Sequence, residues 1–179
     1  SSRRFVGRET GAAGGAALFR AAPHLGPCLR AAATAPAPPA GALTRNPRIT
    51  ATPAHGCDPH GDLASGRLDP RARQLLATIA ERWTVRVSCV RTGHSRYVRG
   101  TRRVSNHTVW RAVDIDMVNG RPVGPRNARA KALARWLGDL HGRLRPSEVG
   151  SPWRFGGRPW FSDAGHQGHL HVGYGPGGR

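Results

Sequence analysis

Apolar residues recur at helical spacing from Leu75 and Leu76 through Ile79 to Trp83, directly behind Asp69-Pro70. An aspartate at the N-cap accepts an otherwise unpaired backbone N–H, and proline at the first helical position has none to leave unpaired. These signals predict a helix over about 70–82. The period then shortens to two. Thr84-Val85-Arg86-Val87-Ser88-Cys89-Val90 alternates polar and apolar side chains, as a half-buried strand does. A second alternating segment, 112–117, contains Val113-Asp114-Ile115-Asp116 and ends before Asn119-Gly120, a strong turn signal. Pro125 is expected to open a second helix over 126–141, with Ala130, Leu133, Ala134, Leu137 and Leu140 on its apolar side. Glu148-Val149 suggests a short strand and 169–174 a final one. The glycine-rich, polar stretches 91–107 and 151–168 read as loops. Helices and strands mix without strict βαβ alternation, so the expected class is α+β, an antiparallel sheet with flanking helices.

The stretch 1–54 departs from this pattern. It is rich in Ala, Gly, Pro and Arg, with Ala35-Pro36-Ala37-Pro38-Pro39 as its extreme, and offers few large apolar side chains to offset chain entropy. It reads as a disordered tail or linker, with a short helix over 12–20 as the one local signal, ahead of an ordered domain over 55–179. With no initiator methionine and no clear signal segment, the amino terminus reads as truncated, processed or poorly defined. No segment approaches the length of a transmembrane span.

Charge adds less than its size suggests. The chain has 179 residues and a formal net charge of +18, and Lys131 is its only lysine. The excess arginine attracts polyanions in general, whether nucleic acid, anionic membrane or anionic cell wall. It is spread along the whole chain and accompanies no nucleic-acid motif, so no specific nucleic-acid partner is expected. Of three cysteines, Cys28 lies in the tail. Cys57 precedes the first expected helix and Cys89 sits in the strand after it, which leaves open a disulfide or two buried thiols.

The histidines change the picture most. Nine are present, and a lone histidine is commonly a surface or core residue. Here, however, His107 and Asp114 occupy one segment, and His169-Leu170-His171 another. In strands, residues i and i+2 share a face, so His169 and His171 would stand together while Leu170 and Val172 face a core. Asp114 and Asp116 would likewise share a face. Two such strands side by side bring imidazole and carboxylate to one point, and three ligands with one open position make a catalytic rather than a structural zinc site.

Ser105-Asn106-His107-Thr108-Val109-Trp110-Arg111-Ala112-Val113-Asp114 resembles the Ser-x-His-x-x-Gly-x-Ala-x-Asp motif of the zinc D-alanyl-D-alanine peptidases. Their superfamily also holds the lysostaphin-type endopeptidases and the hedgehog amino-terminal domain. His169-Leu170-His171 resembles the superfamily's late His-x-His, and the resemblance spans about 57–175. It implies a zinc site in a cleft on the sheet, held by His107, Asp114 and His171. His169 becomes the non-ligand histidine at the reacting centre, and Arg91 a substrate-binding arginine. Two positions depart from the pattern. The motif's glycine is Trp110, so local packing is expected to differ. The position where many members carry an acidic base, three residues before the last ligand, is Gly168. His169, Asp163 and His166, in that order, are the candidates for the base.

The implied function is hydrolysis of peptidoglycan stem or cross-bridge peptides by a zinc metallopeptidase of the D-Ala-D-Ala carboxypeptidase or endopeptidase type. A monomer, extracellular or cell-wall associated, is expected. The alternatives are an inactive zinc-containing domain that binds the cell wall, for which Gly168 speaks, and a basic nucleic-acid binder. Asp116 is a candidate for orienting a histidine or a plain solvated carboxylate. Trp110, Trp153 and Trp160 read as wall or core. Tyr97 sits within reach of a cleft, whereas His55 and His94 read as ordinary polar residues.

Overall fold

The computed structural model describes residues 35–54 and 56–176. Cys28, His55 and the expected 12–20 helix lie outside them. Among the described residues three α-helices, α1 (Pro59–Ala64), α2 (Pro70–Ala80) and α3 (Ala128–Asp139), accompany seven strands. The strands are β1 (Ile49–Ala51), β2 (Val85–Cys89), β3 (Ala112–Val118), β4 (Arg121–Pro122), β5 (Glu148–Gly150), β6 (Trp160–Phe161) and β7 (Leu170–Gly173). The chain is α+β, as its patterning predicts.

The sheet is mixed, not antiparallel. Its order is β1-β2-β3-β7-β5-β6, with β4 pairing the end of β3. The central run β2-β3-β7-β5 is antiparallel, but β1 joins β2 and β6 joins β5 in parallel. Both parallel additions are short edge strands of two or three residues, too brief to leave a period-two signal in the sequence. β1 also corrects the expected boundary at residue 55. Ile49 and Leu43 are buried, and the Arg73 guanidinium donates to the Pro38 carbonyl, so residues 38–51 pack against the domain.

Asp69 caps α2 as expected, accepting from the Arg71 backbone N–H. The expected opening of α3 at Pro125 moves to Asn127, whose side chain accepts from both Arg129 and Ala130 backbone N–H groups. Two free donors on consecutive residues make Asn127 the stronger cap. One apolar cluster joins Leu75, Leu76 and Ile79 of α2, Leu133 and Leu137 of α3, and the strand residues Val87, Val113, Ile115, Leu170 and Val172. Because strand side chains alternate, burying Val113 and Ile115 in that cluster turns Asp114 to the other face. The same holds for His171 between Leu170 and Val172. The register then pairs Asp114 directly with His171.

A buried triangle of donor atoms

Each corner of the site is fixed by a different element. His107 sits within the turn that leads into β3, and the His107 Nδ1–H donates to the Val90 carbonyl just beyond β2, at 2.6 Å. A carbonyl only accepts, so Nδ1 carries a proton and Nε2 is the nitrogen that faces inward. Asp114 enters from β3 and His171 from β7. His107 Nε2 lies 3.1 Å from His171 Nδ1 and 3.2 Å from Asp114 Oδ1. His171 Nδ1 and Asp114 Oδ1 are 3.1 Å apart. All three residues are buried, His107 at 1% exposure. Such near-equal sides, on ligands about 2.0–2.1 Å from a tetrahedral zinc, should be about 3.3 Å. The triangle has the dimensions that one cation would span.

Electrostatics agree with the geometry. Burial alone would raise the Asp114 pKa, but the His107 and His171 imidazoles hold it well below the usual carboxylate range. Burial disfavours charge on His171, yet Asp114 and Glu148 together lift its pKa to about 9. A buried acid and base of this kind persist only when they satisfy one another or a bound ion.

Cys89 Sγ, a ring nitrogen of His107 and a carboxylate oxygen of Asp114 also lie within 4.8 Å of one another, a group that could hold a metal ion. The Cys89 sulfur, however, is bonded to Cys57, which settles the open question over these two cysteines. The lone pairs left to face a cation are therefore those of His107, Asp114 and His171. The disulfide instead secures the end of β2. There the buried Asp62 of α1 accepts from the Arg91 and Thr92 backbone N–H groups, each at 2.7 Å, and from the Thr92 hydroxyl at 2.6 Å.

His169 stands just outside β7, with Nε2 3.7 Å from Asp114 Oδ1 and its side chain a quarter exposed. Burial, the largest influence, lowers its pKa, so the ring is neutral at pH 7. The ring centroid of His166 is 5.0 Å from that of His169 and 5.5 Å from that of His171. His166 Nδ1 pairs with Asp163 Oδ1 at 2.6 Å, and the Asp163 side chain also accepts from the Gly165 backbone N–H. Gly150 makes this crowding feasible. A Cβ there would come within 2.7 Å of His166 and 3.0 Å of the His171 Cβ.

Arg91 does not reach into the triangle. It lines an adjoining cleft of about 440 Å³ with His94, Arg96, Val104, Thr108 and Val109. His94, expected to be an ordinary polar residue, stacks on His107 with ring centroids 4.0 Å apart and joins cleft to triangle. Asp116 orients no histidine. It accepts two bonds of 2.8 Å from the Arg86 guanidinium. Trp153 and Trp160 serve packing, with indole N–H groups donating to the Pro125 and Ala134 carbonyls. Trp110 holds a φ of 61°, the left-handed conformation that glycine adopts without strain. Trp110 thus adopts, with a bulky side chain, a conformation that glycine favours, and its indole lies under the Arg67 guanidinium at 4.6 Å.

One participant went unforeseen in the sequence. Glu148 Oε2 lies 3.3 Å from His171 Nε2 and accepts from the Asn106 amide at 2.9 Å, while Oε1 accepts from Arg103. These contacts pull its pKa down to about 2, led by the bond to His171. Glu148 occupies a short strand with no local motif around it, and only the pairing of β5 with β7 brings it here. The chain matches no protein-family model, no curated protein and no solved structure.

Proposed function

We propose that the chain is a zinc-dependent peptidase acting on peptidoglycan stem or cross-bridge peptides, of the D-Ala-D-Ala carboxypeptidase or endopeptidase type. The observation that carries this reading is the triangle of His107 Nε2, Asp114 Oδ1 and His171 Nδ1, with sides of 3.1–3.2 Å. Two imidazoles and a carboxylate suit zinc, and three protein ligands leave a position for water or substrate. Bound there, zinc would supply Lewis acidity toward the scissile carbonyl and would lower the pKa of a bound water to about 7.

The remaining work falls to the chain. The Val90 carbonyl holds His107 by Nδ1 and Glu148 holds His171 by Nε2, so the other nitrogen of each ring is the one turned toward the ligand cluster. His169 is neutral, partly exposed and adjacent to Asp114, so its ring can take a proton from the attacking water and return it to the leaving amine. Asp163 already shares a hydrogen bond with His166, which makes the pair a proton route beside His169 rather than a replacement for it. Arg91 and Arg96, which share the cleft with Val104 and Val109, suit a short peptide with small apolar side chains and a free carboxylate.

The test is incubation of the purified chain with defined peptidoglycan fragments, with and without a chelator, read by mass spectrometry. Chelator-sensitive cleavage at a D-alanine bond is the expected result. Stoichiometric zinc without turnover would favour an inactive wall-binding domain, and no metal uptake would end the reading.

A further inference from the structure

We propose that Cys89 is a latent further ligand of the metal site, released by reduction of its bond to Cys57, so that one disulfide sets whether the site is open or closed. The inference rests on the metal-site reading above and deepens it. Val87 of β2 stands opposite Ile115 of β3 in the core, and alternation alone would turn Cys89 to that same face. A bulge between Val87 and Cys89 inserts Ser88 and re-aims the next side chain, so Cys89 stands opposite Asp114 instead. Asp114 in turn stands opposite His171 of β7. Three neighbouring strands therefore carry sulfur, carboxylate and imidazole in one row on a single face. His107 closes over that row from its turn, anchored on the carbonyl of Val90 beside Cys89. The Cys89 sulfur already lies within 4.8 Å of donor atoms on His107 and Asp114. Sulfur and a nitrogen or oxygen ligand on one tetrahedral zinc stand about 3.6 Å apart, so a shift of roughly 1 Å brings the sulfur into range. A sulfur bonded to Cys57 has no thiolate to offer, and a released one has.

The release is a two-electron step. A dithiol reductant gives two electrons and two protons and closes as its own disulfide, while the Cys57–Cys89 S–S bond breaks and two thiols form. The Cys89 thiol gives its proton to solvent as it takes the ion. The end of β2 keeps its place, because the Asp62 carboxylate still accepts from Arg91 and Thr92 and the Asp58 backbone N–H still donates to the Thr92 carbonyl. Three protein ligands leave a position for water or substrate, and a fourth fills it. The chain would thus hold its ion in an unreactive form under reducing conditions and open the site once the disulfide forms.

The test uses cobalt(II) in place of zinc on full-length chains carrying Cys28→Ser, which removes the third cysteine. The disulfide-bonded chain should bind cobalt with no thiolate-to-cobalt charge-transfer band in the near ultraviolet. Reduction by a phosphine, which ends as its oxide with oxygen taken from water, should bring that band in. Both cysteines are 5% exposed, so Cys57→Ser supplies a second route that frees Cys89 without a reductant. It should show the band from the outset, and adding Cys89→Ser should remove the band while cobalt still binds. A folded Cys57→Ser chain that takes cobalt without the band, or takes none, overturns the proposal, as does a band that survives Cys89→Ser. If Cys57→Ser fails to fold, the phosphine-treated chain decides: no band once its thiols titrate as free overturns the proposal. If the disulfide-bonded chain takes no cobalt while the reduced one binds it with the band, the open-site reading falls and the Cys89 ligand stands.

Discussion

The ligand triangle and the cleft beside it are built on opposite principles. In the triangle every residue is buried and each ring nitrogen has a polar partner. Its members come from β3, β7 and the turn before β3, all anchored in the sheet. The cleft wall comes from the loop after β2, and Arg91, Arg96, Val104 and Val109 keep their side chains toward solvent. Rigid, satisfied groups suit a cation that stays, and exposed ones suit a ligand that arrives and leaves. His169 sits on the border, a quarter exposed.

The comparison breaks most sharply at the triangle. Alanine in place of His107, Asp114 or His171 should abolish stoichiometric zinc binding in elemental analysis and lower the melting temperature, because site and fold are coupled. Any of these variants keeping full metal would remove that residue from the ligand set. On the border, His169→Ala should retain zinc yet lose turnover by roughly 10²–10⁴, the usual contribution of a placed acid–base group. Full activity there, with Asp163→Ala or His166→Ala inactive, would move the proton route to the preceding turn. In the wall, Arg91→Ala should leave zinc and melting temperature unchanged and raise KM by roughly 10–100-fold, as loss of a charge-assisted bond does. An unchanged KM would exclude Arg91 from carboxylate recognition.

Acid should weaken the buried half. The folded-state pKa of Glu148 lies below its ordinary 4.5, at about 2. Its stabilisation is therefore present above about pH 4.5 and lost as pH falls toward 2. Melting curves of the metal-free chain should show this decline, flattened in Glu148→Gln. The smallest effect belongs to Trp110. Glycine there relieves a left-handed strain of roughly 1–2 kcal/mol but forfeits the contact with Arg67 and gains chain entropy, so stability should stay within about 1 kcal/mol. Trp110→Ala keeps the strain and loses the ring, and should melt lower than either. Equal melting of the glycine and alanine variants would deny the strain.

What the sequence revealed follows the same division. His107 and Asp114 were legible because one segment carries them, and His169-Leu170-His171 because alternation in a strand displays both imidazoles. α2, β2, β3 and β7 were legible from their periods. Glu148 was not, since its role exists only through pairing of β5 with β7, and neither strand encodes its neighbour. His94 was missed for a related reason: a loop histidine becomes part of the site only when the turn at Gly93 lays it on His107. The parallel edges β1 and β6 are two or three residues long, shorter than any periodicity can resolve. Asp62 acts across α1 and the end of β2, a contact no spacing foretells.

The place of β7 in the sheet has a consequence for how the chain assembles. It comes after every other strand in sequence yet inserts between β3 and β5. Until it arrives, each of those strands keeps an open edge, and the sheet cannot grow outward from a hairpin one neighbour at a time. Closure must await a long-range pairing whose loop entropy is spent before any contact rewards it, which slows folding and leaves unpaired edges exposed to other chains. The strand that closes the sheet also delivers His171, so the complete ligand set comes into being only at that last insertion.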